Sequence, residues 1–371
     1  MNKTLIIRNY KCFDDLKLLI KPLTVLTGKN GVGKSSVTQS LRLLFLGNKI
    51  NVGDEIHLNS SGFNIGTFDE IIPKFGTARQ DNFWIGVSQS SHPEIEWGCE
   101  FDKSENIDEC EYIRLTRRID CKDLKDTKHV NFVYLSAERF GPRLRQGITD
   151  GHKDCHINVG VNGEYCAELL ANNFNTRIDD DLIHPSCKNS LLTGNLEKWM
   201  SEIVGNIEIR AERPPRLSPP YLEFRRPGKF SDWQFPTNHG FGISYVLPII
   251  LAGLTLEKGG TLIVDSPEAH LHPSAQTAIA QFLTFLSSKS RNIIIETHSD
   301  HVLDGIRISV TNKDNNFGHD SCIFHYLDRD ADGKIIHKEI NPNPDGSLPY
   351  WPDGFFDQIA INLQKITLNN L

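Results

Sequence analysis

The residues best suited to chemistry lie early in the chain, at Gly28-Lys29-Asn30-Gly31-Val32-Gly33-Lys34-Ser35, which fits the phosphate-binding pattern G-x-x-x-x-G-K-[ST]. Glycines at these positions let backbone N–H groups turn inward around a phosphate, and a helix starting here adds the positive end of its dipole. Lys34 is then the cation for the β- and γ-phosphates, and the Ser35 hydroxyl is a ligand for Mg²⁺. Gly28, Asn30, Gly31, Gly33 and Ser36 complete the expected nucleotide-contacting set of this loop. The chemistry implied is the binding of a nucleoside triphosphate with magnesium. A second acid fits the same chemistry: Asp265 ends the apolar run Thr261-Leu262-Ile263-Val264 and is the Walker B carboxylate expected to hold the metal. His298 follows another apolar run, Asn292 to Glu296, where an imidazole can reach the γ-phosphate or the water that attacks it.

These side chains need an α/β framework. Leu23 to Thr27 is a short β-branched and apolar run that reads as a buried strand feeding the loop, and Ser36 to Phe45 carries apolar residues at helical spacing. Thr261 to Asp265 and Asn292 to Glu296 read as two further buried strands. Between them and the loop lies Asn238-His239-Gly240-Phe241-Gly242-Ile243-Ser244, followed by an apolar helix expected over Tyr245 to Glu257. Glycines ahead of a helix present N–H groups to an anion, so Gly240, Gly242 and Ser244 join the nucleotide-binding candidates.

Taken together, Ile6 to Phe13, Gly28 to Ser35, Gly240 to Ser244, Asp265-Ser266-Pro267-Glu268-Ala269-His270-Leu271-His272-Pro273 and Thr297-His298-Ser299 resemble the ABC-type ATPases of the SMC, RecF and OLD-like group. The likeness covers most of the chain through about residue 310. It is most marked to small stand-alone prokaryotic ATPases of anti-phage defence operons, whose C-terminal end resembles Leu348 to Asp357. The resemblance implies an ABC-type head: a mixed-sheet core with flanking helices, an antiparallel N-terminal β lobe and an inserted region. It also implies ATP sandwiched between two subunits, with Gly240, Gly242 and Ser244 of one closing over the nucleotide of the other. Members of the group usually carry a second acid after the Walker B aspartate, whereas here Ser266 follows Asp265. That departure implies slow hydrolysis, with Glu268 or His270 as the water-positioning group beside His298. A second departure is the lack of heptads between Lys34 and Gly240, so no long SMC-type arms are expected.

Three regions follow: residues 1–128, an N-terminal lobe with the phosphate-binding loop and strands near Asp81 to Val87 and Glu111 to Ile119; residues 129–236, a core strand at Val130 to Ser136 plus the inserted region, with helices over Glu164 to Asn172 and Leu196 to Ile203; and residues 237–371, with the signature, Walker B and histidine loop and a C-terminal extension. The net charge of −7 argues against a protein that coats nucleic acid indiscriminately. Arg139, Arg143 and Arg145, and then Arg210, Arg213, Arg216, Arg225, Arg226 and Lys229 with interleaved aromatics, are open to three readings: nucleic acid, a protein partner or solvated surface. Eight cysteines include no C-x-x-C pair, and the group His152, Asp154, Cys155, His156 has no second ligand cluster at zinc spacing. Asp328-Arg329-Asp330-Ala331-Asp332-Gly333 resembles the D-x-D of a Toprim nuclease but reads more simply as an Asp-Gly turn, with too little chain after it for that domain. The longest apolar stretch, Ser244 to Leu256, is too short to cross a bilayer, and a cytoplasmic location without membrane contact is expected.

The expected function is an ATP-binding, slowly hydrolysing switch that dimerises head to tail and reports to a separate effector, a nuclease or toxin, in anti-phage defence. The alternatives are a DNA-repair or nucleic-acid-processing ATPase or nuclease subunit, and an ATP-locked scaffold with negligible turnover.

Overall fold

The computed structural model describes residues 3–60, 63–73, 81–89, 92–104, 110–119, 131–144, 147–148, 158–214, 219–228, 231–352, 354–356 and 358–368. The His152, Asp154, Cys155, His156 group lies outside the described residues, as do Arg145, Arg216 and Lys229. The chain divides into two compact units, one of Met1–Val130, Cys322–Asn341 and Pro349–Leu371, the other of Asn131–Ser321 and Pro342–Leu348.

In the first unit, strands β1 (Lys3–Tyr10), β2 (Phe13–Ile20), β4 (Glu55–His57), β5 (Asn82–Gln89), β6 (His92–Lys103) and β7 (Tyr112–Ile119) form an antiparallel sheet in the order β2-β1-β5-β6-β7-β4. This is the N-terminal β lobe expected from the sequence. Strand β3 (Leu23–Gly28) leads through the phosphate-binding loop into helix α1 (Lys34–Gly47), and a short helix α2 (Phe68–Ile71) follows β4. Helix α1 turns Val37, Leu43 and Leu44 inward at helical spacing and ends at Gly47, where a Cβ would lie 2.7 Å from the Cys99 sulfur on β6.

The second unit begins with β8 (Phe132–Leu135) and continues through α3 (Cys166–Asn173), α4 (Leu192–Val204), the antiparallel pair β9 (Glu208–Glu212) and β10 (Tyr221–Arg225), α5 (Phe241–Leu254), β11 (Thr261–Asp265), α6 (Pro273–Ser288), β12 (Asn292–Glu296) and α7 (Asp300–Thr311). Strand β11 lies parallel between β8 and β12. Leu262, Ile263 and Val264 are fully buried, as are Ile293 and Ile295, the unbroken apolar run of a parallel strand covered on both faces. Each such side chain contributes roughly 1.5–3 kcal/mol of transfer free energy. The buried Arg291 closes the base of this sheet. Its guanidinium donates to the Leu256 carbonyl at 3.1 Å and to Asp181 at 2.8 Å, and is paired with Asp179.

Back in the first unit, β13 (Cys322–Arg329) pairs parallel with β3 and antiparallel with β14 (Ile335–Ile340), and helix α8 (Gln358–Leu368) follows.

Two sequence expectations change. Helix α5 starts at Phe241, so Gly242 and Ser244 lie inside its first turns and only Gly240 precedes it, as the N-cap. Pro248 sits within this helix, which is buried along most of its length. Helix α4 likewise begins at Leu192 rather than Leu196, spanning Gly194. Among the described residues the stretch between α1 and α5 holds strands and short helices, with no long arm, and no helix is long and apolar enough to cross a membrane.

Candidate functional site

In the first unit the phosphate-binding loop is shaped by close approach. Gly28, Gly31 and Gly33 have φ of 138°, 75° and 98°, conformations that favour glycine. A Cβ on Gly28 would lie 2.0 Å from the Leu327 carbonyl oxygen of β13, and one on Gly33 2.5 Å from the Cys12 sulfur and 2.7 Å from the Phe13 ring. The β1–β2 turn therefore backs the loop, which gives the Ile6 to Phe13 segment a physical reason. Beside Gly31 a Cβ would meet nothing within 4 Å. Helix α1 starts at Lys34, with Gly33 in the left-handed region as its N-cap and no side chain capping it. Lys34 is buried, its ammonium donating to the Gly28 and Lys29 carbonyls at 3.1 and 2.7 Å. Asn30 and Ser35 are exposed, and the Ser36 hydroxyl hydrogen-bonds the Cys12 thiol.

The rim of the loop is held by β13 and the C-terminal segment. Arg329 donates to the Gly31 carbonyl at 2.8 Å, and Lys29 pairs with Asp328 at 3.1 Å. Burial raises the Asp328 carboxyl, but the Arg329 N–H, Lys29 and the Tyr326 hydroxyl outweigh it and hold the acid below its ordinary range. Gly354 packs against the Tyr326 hydroxyl and the Lys29 stem. Asp330 accepts the Asp332 and Lys334 N–H groups, at 3.0 and 2.8 Å, and so shapes the turn between β13 and β14. The Asp-Gly turn is what the structure contains at the D-x-D sequence.

In the second unit the ends of β8, β11 and β12 gather the remaining candidates. Ser266 has φ of 49°; its hydroxyl donates to Asp265 Oδ1 at 2.9 Å and its N–H to the Glu296 carbonyl at 2.8 Å. Arg139 reaches the same turn. It donates to the carbonyls of Ser136, Asp265 and Ser266 at 2.7–2.8 Å, is 2% exposed, and has its pKa lowered to about 10 by burial. Arg139 is thus no surface cation, which corrects the charge-based reading.

Glu268 is clamped by the loop after β12. Its Oε2 accepts the Thr297 hydroxyl at 2.8 Å and its Oε1 accepts the His298 N–H at 2.9 Å. Burial still pushes the Glu268 pKa up, against those bonds and the nearby Arg139 charge. His298 lies at the exposed edge, and Ser299 rather than His298 caps α7, accepting the Val302 N–H. The ring of His270, whose φ is 60°, lies 5.2 Å from Phe241 and 4.5 Å from Tyr245, tying it to the start of α5. A Cβ on Gly242 would sit 3.2 Å from the His270 carbonyl oxygen and from the Leu271 side chain, a tight approach that favours glycine there.

The arginines of the inserted region are largely neutralised. Arg210 pairs with Glu223, Arg225 with Glu208, and Arg213 with Glu168, while Trp233 lies 4.8 and 4.7 Å from the Arg210 and Arg225 guanidinium groups. Cross-strand pairing on β9 and β10 accounts for Arg210 and Arg225, and a carboxylate of α3 for Arg213, while Arg226 is exposed.

The residue types fit the groups they imply: a glycine cradle at a helix start with a buried lysine suits a triphosphate, and a serine hydroxyl or an aspartate carboxylate is each a hard oxygen donor of the kind magnesium takes. The set missed by sequence reasoning is Arg139, Thr297 and Arg329. Each acts through backbone carbonyls or a carboxylate remote in sequence, which no local motif displays.

Comparison with known proteins agrees with this geometry. A family described as an AAA ATPase domain matches residues 1–140 and 167–303, and one described as a protein of unknown function, DUF3696, matches residues 318–366. An OLD nuclease of Thermus scotoductus is 25% identical in an alignment of length 338 that covers 81% of this chain and 59% of that protein, so the chain spans little more than half of this relative. Among solved structures, an SMC head bound to the C-winged helix domain of ScpA shares the fold at 13% identity and a TM-score of 0.55, over 91% of this chain and 97% of that one. An Smc head with an extended coiled coil, bound to the C-terminal domain of ScpA derived from Pyrococcus furiosus, does so at 10% identity and 0.54, over 99% and 100%. The chain belongs to the AAA ATPase domain family, on a fold it shares with SMC heads.

Proposed function

We propose that this ATPase is a nucleotide-gated switch: it binds ATP with Mg²⁺, dimerises head to tail on it, hydrolyses it slowly and signals to a separate effector. Lys34 and the N–H groups of the Gly28 to Ser36 loop hold the phosphates, and Ser35 and Asp265 hold the metal. Gly240, Gly242 and Ser244 serve the partner's nucleotide. The observation that carries the reading is the Glu268 clamp. A half-buried carboxylate with both oxygens held by the loop after β12 stands three residues beyond the Walker B aspartate, in place of the acid that Ser266 lacks. Glu268 takes a proton from water in this role, His298 orients the phosphate side, and His270 keeps the turn against α5.

Magnesium neutralises phosphate charge when bound. Asp265 is oriented for it by the Ser266 hydroxyl, and Arg139 fixes the backbone on which both stand. The exposed Phe241, with Tyr245 and His270, offers an aromatic patch at the start of α5 on which a second copy can close. A role in anti-phage defence rests on the resemblance to stand-alone defence ATPases, and the OLD nuclease relative keeps nucleic-acid processing as the second reading.

Steady-state ATP turnover measured alongside molar mass with and without ATP tests the switch. Slow turnover with an ATP-dependent doubling of mass is expected. Turnover at constant mass would favour a plain hydrolase, and doubling with no turnover a locked scaffold.

A further inference from the structure

Strands β13 and β14 place three metal-binding side chains on one face. His325 stands opposite Glu339 in the antiparallel register, and His337 is two residues before Glu339, so the pleat turns all three the same way. Their ligand atoms lie within 4.8 Å of one another. His325 is fully buried, His337 half-buried and Glu339 exposed, so the group is open to solvent at its Glu339 end. Strand β2 covers the other end. His325 Nε2 lies 2.8 Å from the Leu19 carbonyl oxygen, and a Glu339 carboxylate oxygen accepts the Leu19 N–H at 3.4 Å.

The tautomers follow from the partners. A carbonyl only accepts, so His325 Nε2 carries the proton and its Nδ1 keeps a lone pair, directed at His337 Nε2 2.7 Å away. Burial lowers the His325 pKa to about 3, with help from the neighbouring His337, and the His337 pKa to about 4. One imidazole nitrogen pinned to a backbone carbonyl while the other presents its lone pair is the outer-shell arrangement that orients metal-binding histidines.

We infer that His325 Nδ1, His337 Nε2 and a Glu339 carboxylate oxygen form a site for one divalent transition-metal ion of the zinc class. Two imidazoles and a carboxylate suit Zn²⁺ or Co²⁺, whereas Mg²⁺ and Ca²⁺ favour oxygen donors throughout. The ion replaces the proton between the rings. His337 moves that proton to its own Nδ1, and the two nitrogens part from 2.7 Å. Ligand bonds of about 2.0–2.1 Å in a tetrahedral shell set the nitrogens roughly 3.3 Å apart, with water in the fourth position. Lys21 adds a positive charge near His325, though its ammonium is directed at Asn341, 2.8 Å away. The site uses none of the phosphate-binding residues and ties the end of β2 to the β13–β14 hairpin.

The test uses the untagged full chain, free of nucleotide and Mg²⁺, titrated with Co²⁺ and then Zn²⁺. One equivalent of Co²⁺ with a tetrahedral visible band, displaced by Zn²⁺, and a rise in thermal midpoint with Zn²⁺ are expected. His337→Ala and Glu339→Gln, both at accessible positions, should each weaken binding at least tenfold and remove the thermal shift. A His152→Ala/His156→Ala variant should keep both. Absence of a Co²⁺ band, a band that survives in both His337→Ala and Glu339→Gln, or one lost instead in the His152/His156 variant would overturn the site.

Discussion

Glu268 owes its raised pKa to burial that its own hydrogen bonds do not fully offset, and this fixes how turnover should respond to pH. A general base works ionised, and a raised pKa keeps the acid protonated to higher pH. Turnover should therefore fall on acidification from a point above the ordinary 4.5, and Thr297→Val, which removes one donor to the carboxylate, should move that point higher still. A pH–rate profile whose acid limb is the same in wild type and Thr297→Val would count against Glu268 as the base. Glu268→Gln should lower single-turnover cleavage by about a hundredfold or more, the range for loss of a general base. Ser266→Glu should bring no gain, because Glu268 fills the role and Ser266 is committed to Asp265; a tenfold rise would relocate the water to residue 266. Lys34→Ala removes a charge-assisted contact of about 1.5–3 kcal/mol, so calorimetry should show ATP affinity falling at least tenfold.

Helix α5 shows where packing and function share residues. Any side chain at Gly242 meets the His270 carbonyl and Leu271, so a bulky substitution there should lower the thermal midpoint as well as disturb the signature. Ser244→Arg, at a half-buried position in the next turn, is the cleaner probe of dimer closure. At the base of the second unit, Arg291→Met leaves Asp179 without its cation and Asp181 with only the exposed Lys258. The loss should be about 2 kcal/mol, below the ~3–5 kcal/mol of a fully buried pair because Asp179 is half exposed. Differential scanning calorimetry should register it as a drop of about 5 °C. Strands β3, β11 and β12 were readable in the sequence because unbroken apolar runs between turn residues have few alternatives. The start of α5 was not, since Phe241-Gly242 carries no helix preference and only contact with the His270 turn and Tyr245 fixes it there. Charge alone left the inserted region open: Arg210 and Arg225 find Glu223 and Glu208 through strand register, which a linear pattern of arginines hides. Lys34, Asp265 and Glu268 were visible as motif residues, while the clamp on Glu268 came from Thr297, a neighbour only in space.

For the whole molecule the question is whether chemistry or assembly is the output. Under the switch, each step of the cycle should be separable by one substitution: at ATP levels that just saturate wild type, Lys34→Ala is largely unliganded and stays monomeric, Ser244→Arg binds ATP and stays monomeric, and Glu268→Gln binds, dimerises and remains dimeric because cleavage is slowed. Light scattering with ATP, followed over the time wild type needs to consume it, distinguishes these states, since only wild type should double in mass and then return. Dimerisation of Ser244→Arg equal to that of wild type would reduce Gly240 to Ser244 to a helix start. The nuclease alternative makes a different demand. The acids of the β13–β14 turn are already committed, Asp328 to Lys29 and Asp330 to the turn N–H groups, so this chain alone should leave supercoiled plasmid intact with Mg²⁺ or Mn²⁺. Plasmid nicking by the purified chain that disappears in Asp330→Asn, with the ATP-dependent mass change unaltered, would place the output in this polypeptide and remove the need for a separate effector.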